Sequence, residues 1–228
     1  SLKSRGEWNF PKKKKINDIL EYILKSREIK NSEHFLSPSL DDIPDSSSLF
    51  DSMSAAKLII ESVNKGKKIV IHGDFDSDGI CATSLLWDFL YRELSEFLEK
   101  KVDVIPYIPN RIEQGYGLTE DSLKDVLELG GELLISVDCG VRDEKLINKY
   151  KKKNLSVIIT DHHQPPEDLS PELSYPLVHQ MYPNHEYPFT QICGTAVVFL
   201  LIQEIRKQVG MNYSISPDSK GLDLVALA

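Results

Sequence analysis

Hydrophobic positions along the chain follow two regimes. Up to residue 65 the spacing is helical. Ile16, Ile19, Leu20, Ile23 and Leu24 recur at intervals of three and four, which predicts an amphipathic helix over roughly 16–27. FLSPSLDDIPDSSSLF (35–50) is rich in Pro and Ser and reads as an irregular connector. Ala55, Ala56, Leu58, Ile59, Ile60 and Val63 predict a second helix that stops near Gly66. From there short β-branched runs alternate with helical patterns. KKIVIHG, VDVIPYI, ELLISVDCG and LSVIITDHH read as strands. Helices are predicted after Gly79, over Thr119–Gly130 with Thr119 as N-cap, over DEKLINKYKKK, and over TAVVFLLIQEIRKQVG, ended by Gly210. Strands alternating with helices predict an α/β fold, a mainly parallel β-sheet flanked by helices, preceded by a helical N-terminal extension. The expected division is 1–65 for the extension and connector and 66–228 for the α/β domain.

Composition adds a constraint on partners. Charged residues make up 27% of the 228 residues and the net charge is −8, so nucleic-acid binding needs a local basic patch or a metal site. The lysine run Lys12–Lys15 reads as a solvated lead-in rather than a DNA-binding arm. Three well-separated cysteines, Cys81, Cys139 and Cys193, form no CxxC pair; buried packing roles and a cytoplasmic location are expected. The N-terminus has no signal-like apolar segment, and the apolar stretch 192–202 is too short to span a membrane.

The acidic residues fall where three predicted strands end. Asp74, Asp76 and Asp78 follow the first, Asp138 closes the third, and Asp161 and His162 close the fourth. That edge of an open α/β sheet is where ligands bind. Several carboxylates in one crevice repel unless a cation joins them, and carboxylate with imidazole suits Mn²⁺ or Mg²⁺. The number of candidate ligands fits two ions about 4 Å apart, with Asp138 as the bridge. DFDSDG also copies the start of an EF-hand loop, but position twelve is Leu85 rather than Glu and the loop follows a strand. The helix after Gly79 aims its N-terminus at the same crevice, a favourable place for phosphate. Arg111 is either a phosphate ligand or a surface ion-pair partner, and Tyr116 either a stacking platform for a base or a core aromatic. Metals beside phosphate-binding groups point to hydrolysis of a phosphate ester or anhydride.

DFDSDG, SVDCG and TDHH resemble the first three motifs of the DHH phosphoesterases, and FLSPSLDDIPD, IPNRIEQGYGL and YPFTQICGTAVVFLL resemble segments of its RecJ branch in the same order. The resemblance runs from about residue 25 to the C-terminus. It implies a metal-dependent, single-stranded-DNA-specific 5′→3′ exonuclease of repair and recombination, acting with a helicase and a single-strand-binding protein. It implies that Asp74, Asp76, Asp78, Asp138 and His162 hold metal, with His72 a further ligand or else a core histidine. Asp161 would orient an imidazole and His163 would face the scissile phosphate. Two departures stand out: Ala196 or Val197 replaces a second glycine of the fourth motif, and HQMYPN replaces an Asn-Pro pair before YPF. The resemblance also implies an amino-terminal part of a longer protein, with a further metal-binding Asp and a substrate-gripping lobe beyond it. These residues alone are then expected to bind metal weakly and to cut slowly or not at all. Two rivals are a small-nucleotide phosphodiesterase or pyrophosphatase of the same superfamily, and a catalytically inactive DNA-binding scaffold.

Overall fold

The computed structural model describes residues 19–183, 185, 187–216 and 218–228. The chain divides into two compact units, 1–42 and 43–228. In the first, α1 (Ile19–Ser26) occupies most of the helix predicted over 16–27; residues 16–18 and the lysine run lie outside the described residues. A short α2 (Ser32–Leu36) is capped by the Asn31 side chain, which accepts from the His34 N–H. The hydropathy pattern put the division at 65/66, whereas α3 (Ser52–Asn64) lies in the second unit.

That unit runs α3, β1 (Ile69–His72), α4 (Ser77–Asp88), a π-helical turn (Phe89–Leu94), a last turn α5 (Ser95–Phe97), β2 (Val104–Tyr107), α6 (Glu120–Glu128), β3 (Leu133–Val137), α7 (Glu144–Lys151), β4 (Ser156–Thr160), β5 (Leu177–Val178), α8 (Gly194–Val209) and α9 (Leu222–Leu227). The strands form one parallel sheet in the order β2-β1-β3-β4-β5. Both faces are covered, which is why β1 and β3 read as continuous apolar runs rather than alternating ones. Ile69, Ile71, Leu133 and Ile135 pack into one core with residues of α3, α4 and α8. Val70, Leu134, Val157 and Ile159 face the other core with residues of α6 and α7. β5 is only two residues long and has no counterpart in the hydropathy pattern.

Turn chemistry places the helices. Thr119 caps α6 in a reciprocal box with Ser122, as its position before the helix predicts. Gly130, at φ 79°, ends it in the left-handed conformation that costs glycine least. The connection from β1 leads to β2 on one side, and the chain then crosses to β3 on the other. β1 and β3 therefore flank a topological switch point, where an open α/β sheet leaves a crevice at its carboxyl edge.

Candidate metal centre

The β1–α4 loop packs its own carboxylates tightly. Asp74 is buried and its Oδ1 accepts the Phe75 N–H at 2.7 Å. Burial, followed by the repulsion of Asp76, raises its pKa, while Phe75 N–H and the charges of His163 and Arg111 oppose the shift. Asp76 is exposed and caps α4 by accepting the Gly79 N–H at 3.0 Å. One of the helix donors expected to serve a phosphate is thus already bonded. Gly79 lies on the Asp74 backbone: a Cβ there would sit 2.6 Å from the Asp74 Cα and N. Leu85, where an EF-hand would need its glutamate, is packed in the core.

Asp78 turns away to another helix. Its Oδ2 accepts the Gly194 N–H and its Oδ1 the Thr195 N–H, each at 2.7 Å, and the Thr195 hydroxyl also donates to Oδ1 at 2.7 Å. Asp78 therefore caps α8 from 116 residues upstream. Thr195→Val keeps the shape but removes a hydroxyl bonded to a charged group. A loss of roughly 1.5–3 kcal/mol is expected, read as a lower urea midpoint.

Asp138, directly after β3, adopts φ 61°, a left-handed conformation in which Asp is better tolerated than most residues. Its N–H donates to the Thr160 carbonyl at 2.9 Å, so its place is fixed by the neighbouring strand. The side chain is 1% exposed. Oδ1 lies 3.2 Å from His162 Nε2, is not aligned for a hydrogen bond, and has no other partner among the described residues. Gly194 faces it so closely that a Cβ would come within 2.6 Å of Oδ1. Burial pushes the Asp138 pKa up to about 6, with Asp78 and Asp76 adding repulsion and His162 opposing.

At the end of β4, Asp161 organises its neighbours. Its Oδ1 accepts the backbone N–H groups of His162 (2.7 Å) and His163 (3.1 Å) and faces His163 Nδ1 at 2.7 Å; Oδ2 accepts the Val141 N–H at 2.9 Å. Burial alone would raise its pKa, but these bonds, led by that of the His163 side chain, hold it below the usual value. The His163 pKa is raised by the same bond. The imidazole that Asp161 orients is therefore that of His163. His162 Nδ1 meets the Ile192 carbonyl at 2.9 Å, which places its proton there and leaves Nε2 as the lone-pair atom facing Asp138.

The pair of Asp161 and His163 gives a pH signature in the metal-free chain. The Asp161 pKa is depressed, so its stabilisation is present above the ordinary 3.8 and is lost as pH falls through the lower folded value. The His163 pKa is raised, so its stabilisation is complete below 6.5 and is lost as pH rises through the higher folded value. Asp161→Asn is expected to lower the urea midpoint most between these limits, with the deficit shrinking toward pH 9.

Two residues outside the sequence reading hold the His-His backbone. β5 delivers His179, whose Nε2 meets the His163 carbonyl at 2.9 Å, and Gln180, whose side chain donates to the His162 carbonyl at 2.9 Å. His179 Nδ1 accepts the Met181 N–H at 2.9 Å, so Nε2 carries the proton. Both belong to the HQMYPN segment. The sequence signal was there, an imidazole and an amide directly after an apolar pair, but the strand was too short to read.

Ligand atoms of Asp74, Asp76 and Asp138 lie within 4.8 Å of one another, and so do those of Asp138, His162 and His163. Asp138 is common to both sets. Asp78 Oδ2 remains 3.5 Å from His162 Nε2 while bonded to α8. His72 is fully buried under the cup and belongs to neither set. Its Nδ1 is 3.8 Å from Cys139 Sγ and its Nε2 has no partner among the described residues; burial pulls its pKa down to about 4. Arg111 is exposed and stacks over the Phe75 ring at 4.8 Å. Tyr116, half exposed, places its hydroxyl 3.2 Å from His163 Nδ1 and 3.3 Å from Nε2. Among the described residues no helix is long and apolar enough to cross a membrane.

Fold and site together define an α/β domain of the phosphoesterase class. The family model described as "DHH family, N-terminal domain" matches residues 68–228, and the chain belongs to the DHH family. The single-stranded-DNA-specific exonuclease RecJ of Bacillus subtilis is 37% identical over 147 residues, 64% of this chain and 18% of the relative. That of Haemophilus influenzae is 32% identical over 214 residues, 92% of this chain and 36% of the relative. The structure of exonuclease RecJ bound to manganese superposes with a TM-score of 0.62 at 32% identity, covering 81% of this chain and 42% of that one. RecJ of Thermus thermophilus in complex with Mn²⁺ gives a TM-score of 0.64 at 28% identity, over 91% and 27%. The chain spans less than half the length of each of these proteins.

Proposed function

We propose that this domain hydrolyses phosphodiester bonds in single-stranded DNA from the 5′ end, using two Mn²⁺ or Mg²⁺ ions and releasing nucleotide 5′-phosphates. The observation that carries the reading is the pair of ligand sets meeting at Asp138 on the carboxyl edge of the sheet. The residues fit the ions. Asp138 Oδ1 is buried with no hydrogen-bond partner among the described residues, and Gly194 leaves the space above it open where any side chain would fill it. Oxygen donors with imidazole are the set that Mn²⁺ and Mg²⁺ take. Asp74, Asp76 and Asp138 would hold one ion, and Asp138, His162 and His163 the other. Bound there, the pair supplies a hydroxide nucleophile and charge neutralisation at the leaving oxygen.

The chain's own groups do the rest. Asp161 keeps the His163 Nδ1 proton in place and leaves Nε2 as the lone-pair atom, 3.3 Å from the Tyr116 hydroxyl. Arg111, held over Phe75, presents a guanidinium beside Asp74 for a phosphate oxygen. RecJ relatives name single-stranded DNA as their substrate, and an exposed Tyr116 ring offers a face that any base can stack on. The test incubates the protein with a 5′-phosphorylated single-stranded 50-mer, a blunt duplex, a dinucleotide and pyrophosphate, with Mn²⁺ or a chelator. Slow metal-dependent release of mononucleotides from the single strand alone is expected, in keeping with weak metal binding by these residues alone, and Asp138→Ala should abolish it. Cleavage confined to the dinucleotide or pyrophosphate would make the domain a small-nucleotide hydrolase. DNA binding without turnover, unchanged by Asp138→Ala, would make it a scaffold.

A further inference from the structure

A cavity of about 560 Å³ is lined by His163, Asp161, Tyr116 and the turn after β3. Its floor is the turn after β3, where Gly140 adopts φ 112° and Val141 donates its N–H to Asp161. Asp143 lines its inner wall with one oxygen bonded to the Leu118 N–H, and burial raises the pKa of this carboxyl. At the mouth stand two exposed residues that the metal cup does not use. Arg142 donates to the Gln164 carbonyl at 3.1 Å and has no carboxylate within ion-pair distance among the described residues. The Gln164 side-chain amide makes no hydrogen bond among the described residues.

A wall carrying Asp143 and Asp161 repels a phosphate, whereas a neutral flat group between glycine and valine surfaces fits it. The free donors at the mouth, a guanidinium and an amide, match the acceptor atoms that every nucleobase carries on its edge. We propose that this cavity receives the nucleobase of the nucleotide on the 3′ side of the scissile phosphate, with Arg142 and Gln164 binding its edge while that nucleotide's 5′-phosphate lies at His163. The inference rests on the exonuclease reading, because it takes the His163 side of the cup as the place of a nucleotide phosphate. Arg142 and Gln164 are then determinants of substrate grip, without a part in bond cleavage.

The test is binding, measured calorimetrically in Mn²⁺ with two probes: thymidine 5′-monophosphate and 2-deoxyribose 5-phosphate, which lacks the base. The unsubstituted protein is expected to bind the nucleotide about tenfold more tightly than the sugar phosphate, the worth of a buried, hydrogen-bonded base edge. Arg142→Ala and Gln164→Ala should each remove most of that difference and leave the sugar phosphate unaffected. Equal affinity for the two probes, no binding of either, or a difference that survives in both variants would overturn the proposal. Release of nucleotides from single-stranded DNA is followed on the same protein. Base-dependent binding without release supports the cavity and removes the exonuclease reading; release with base-independent binding keeps that reading and removes the cavity.

Discussion

Replacing Asp138 with asparagine is expected to stabilise the metal-free chain and to abolish its chemistry. The aspartate is 1% exposed and its pKa is raised from 3.8 to about 6, so above that pH an ionised carboxylate sits among Asp76 and Asp78 at a cost to the fold. The sign follows: the cost is absent below the ordinary 3.8, grows as pH rises from there to 6, and is complete above 6 at about 3 kcal/mol. Asparagine removes the charge and tolerates the left-handed backbone at φ 61° as well as aspartate does. In a chelator at pH 8 the variant should melt several degrees higher, and at pH 4 the two proteins should melt together. With Mn²⁺ the order reverses, because a ligand that binds only the folded parent raises its melting temperature. Metal affinity should fall by more than the roughly 100-fold that loss of an outer-shell partner causes, and nucleotide release should fall with it. A variant less stable than the parent in chelator at pH 8 would contradict the picture of a cup held under repulsion.

The second large effect belongs to Gly79. Alanine is usually worth about 1 kcal/mol over glycine within a helix, and Gly79 lies in the first turn of α4. Here the added methyl would sit 2.5 Å from the Asp74 Cβ and 2.6 Å from its Cα and N, atoms that belong to the loop rather than to a flexible side-chain tip. The loop must move, and Asp74 and Asp76 move with it. Gly79→Ala is expected to cost roughly 3 kcal/mol or more and to weaken Mn²⁺ binding beyond what the stability loss explains. The adjacent control is Ile80→Ala at a side chain 48% exposed, where the change should stay within about 0.5 kcal/mol. Denaturant melts of the two variants, with and without Mn²⁺, check both statements.

Sequence reasoning reached the sheet because β1, β3 and β4 are buried on both faces, so their apolar runs were unbroken. It reached helix ends where a capping residue or a left-handed glycine marked them, as at Thr119, Gly130 and Gly210. It placed Asp74, Asp138 and Asp161 at strand ends by counting. What it lacked was anything set by distant contact. No local pattern tells that Asp78 bonds to Gly194 and Thr195, or that Asp161 turns to His163 while Ile192 takes His162. A two-residue strand gives no periodicity, so His179 and Gln180 went unread. The connector before α3 hides a distant contact in the same way. The serine-rich connector looks irregular in sequence, yet Ser46 donates to Glu204 of α8 and is buried there.

The bonds from Gly194 and Thr195 to Asp78 fasten the chain into a ring, with everything from residue 79 to residue 193 threaded between two fixed ends. Length can drift along such a ring where the path turns on the far rim of the sheet, as at 98–103, 129–132 and 152–155. A one-residue insertion there is absorbed by solvent-facing backbone. The same insertion beside Asp138 or His162 would carry a donor out of the cup, so relatives should differ in length at the far rim and keep count at the near one.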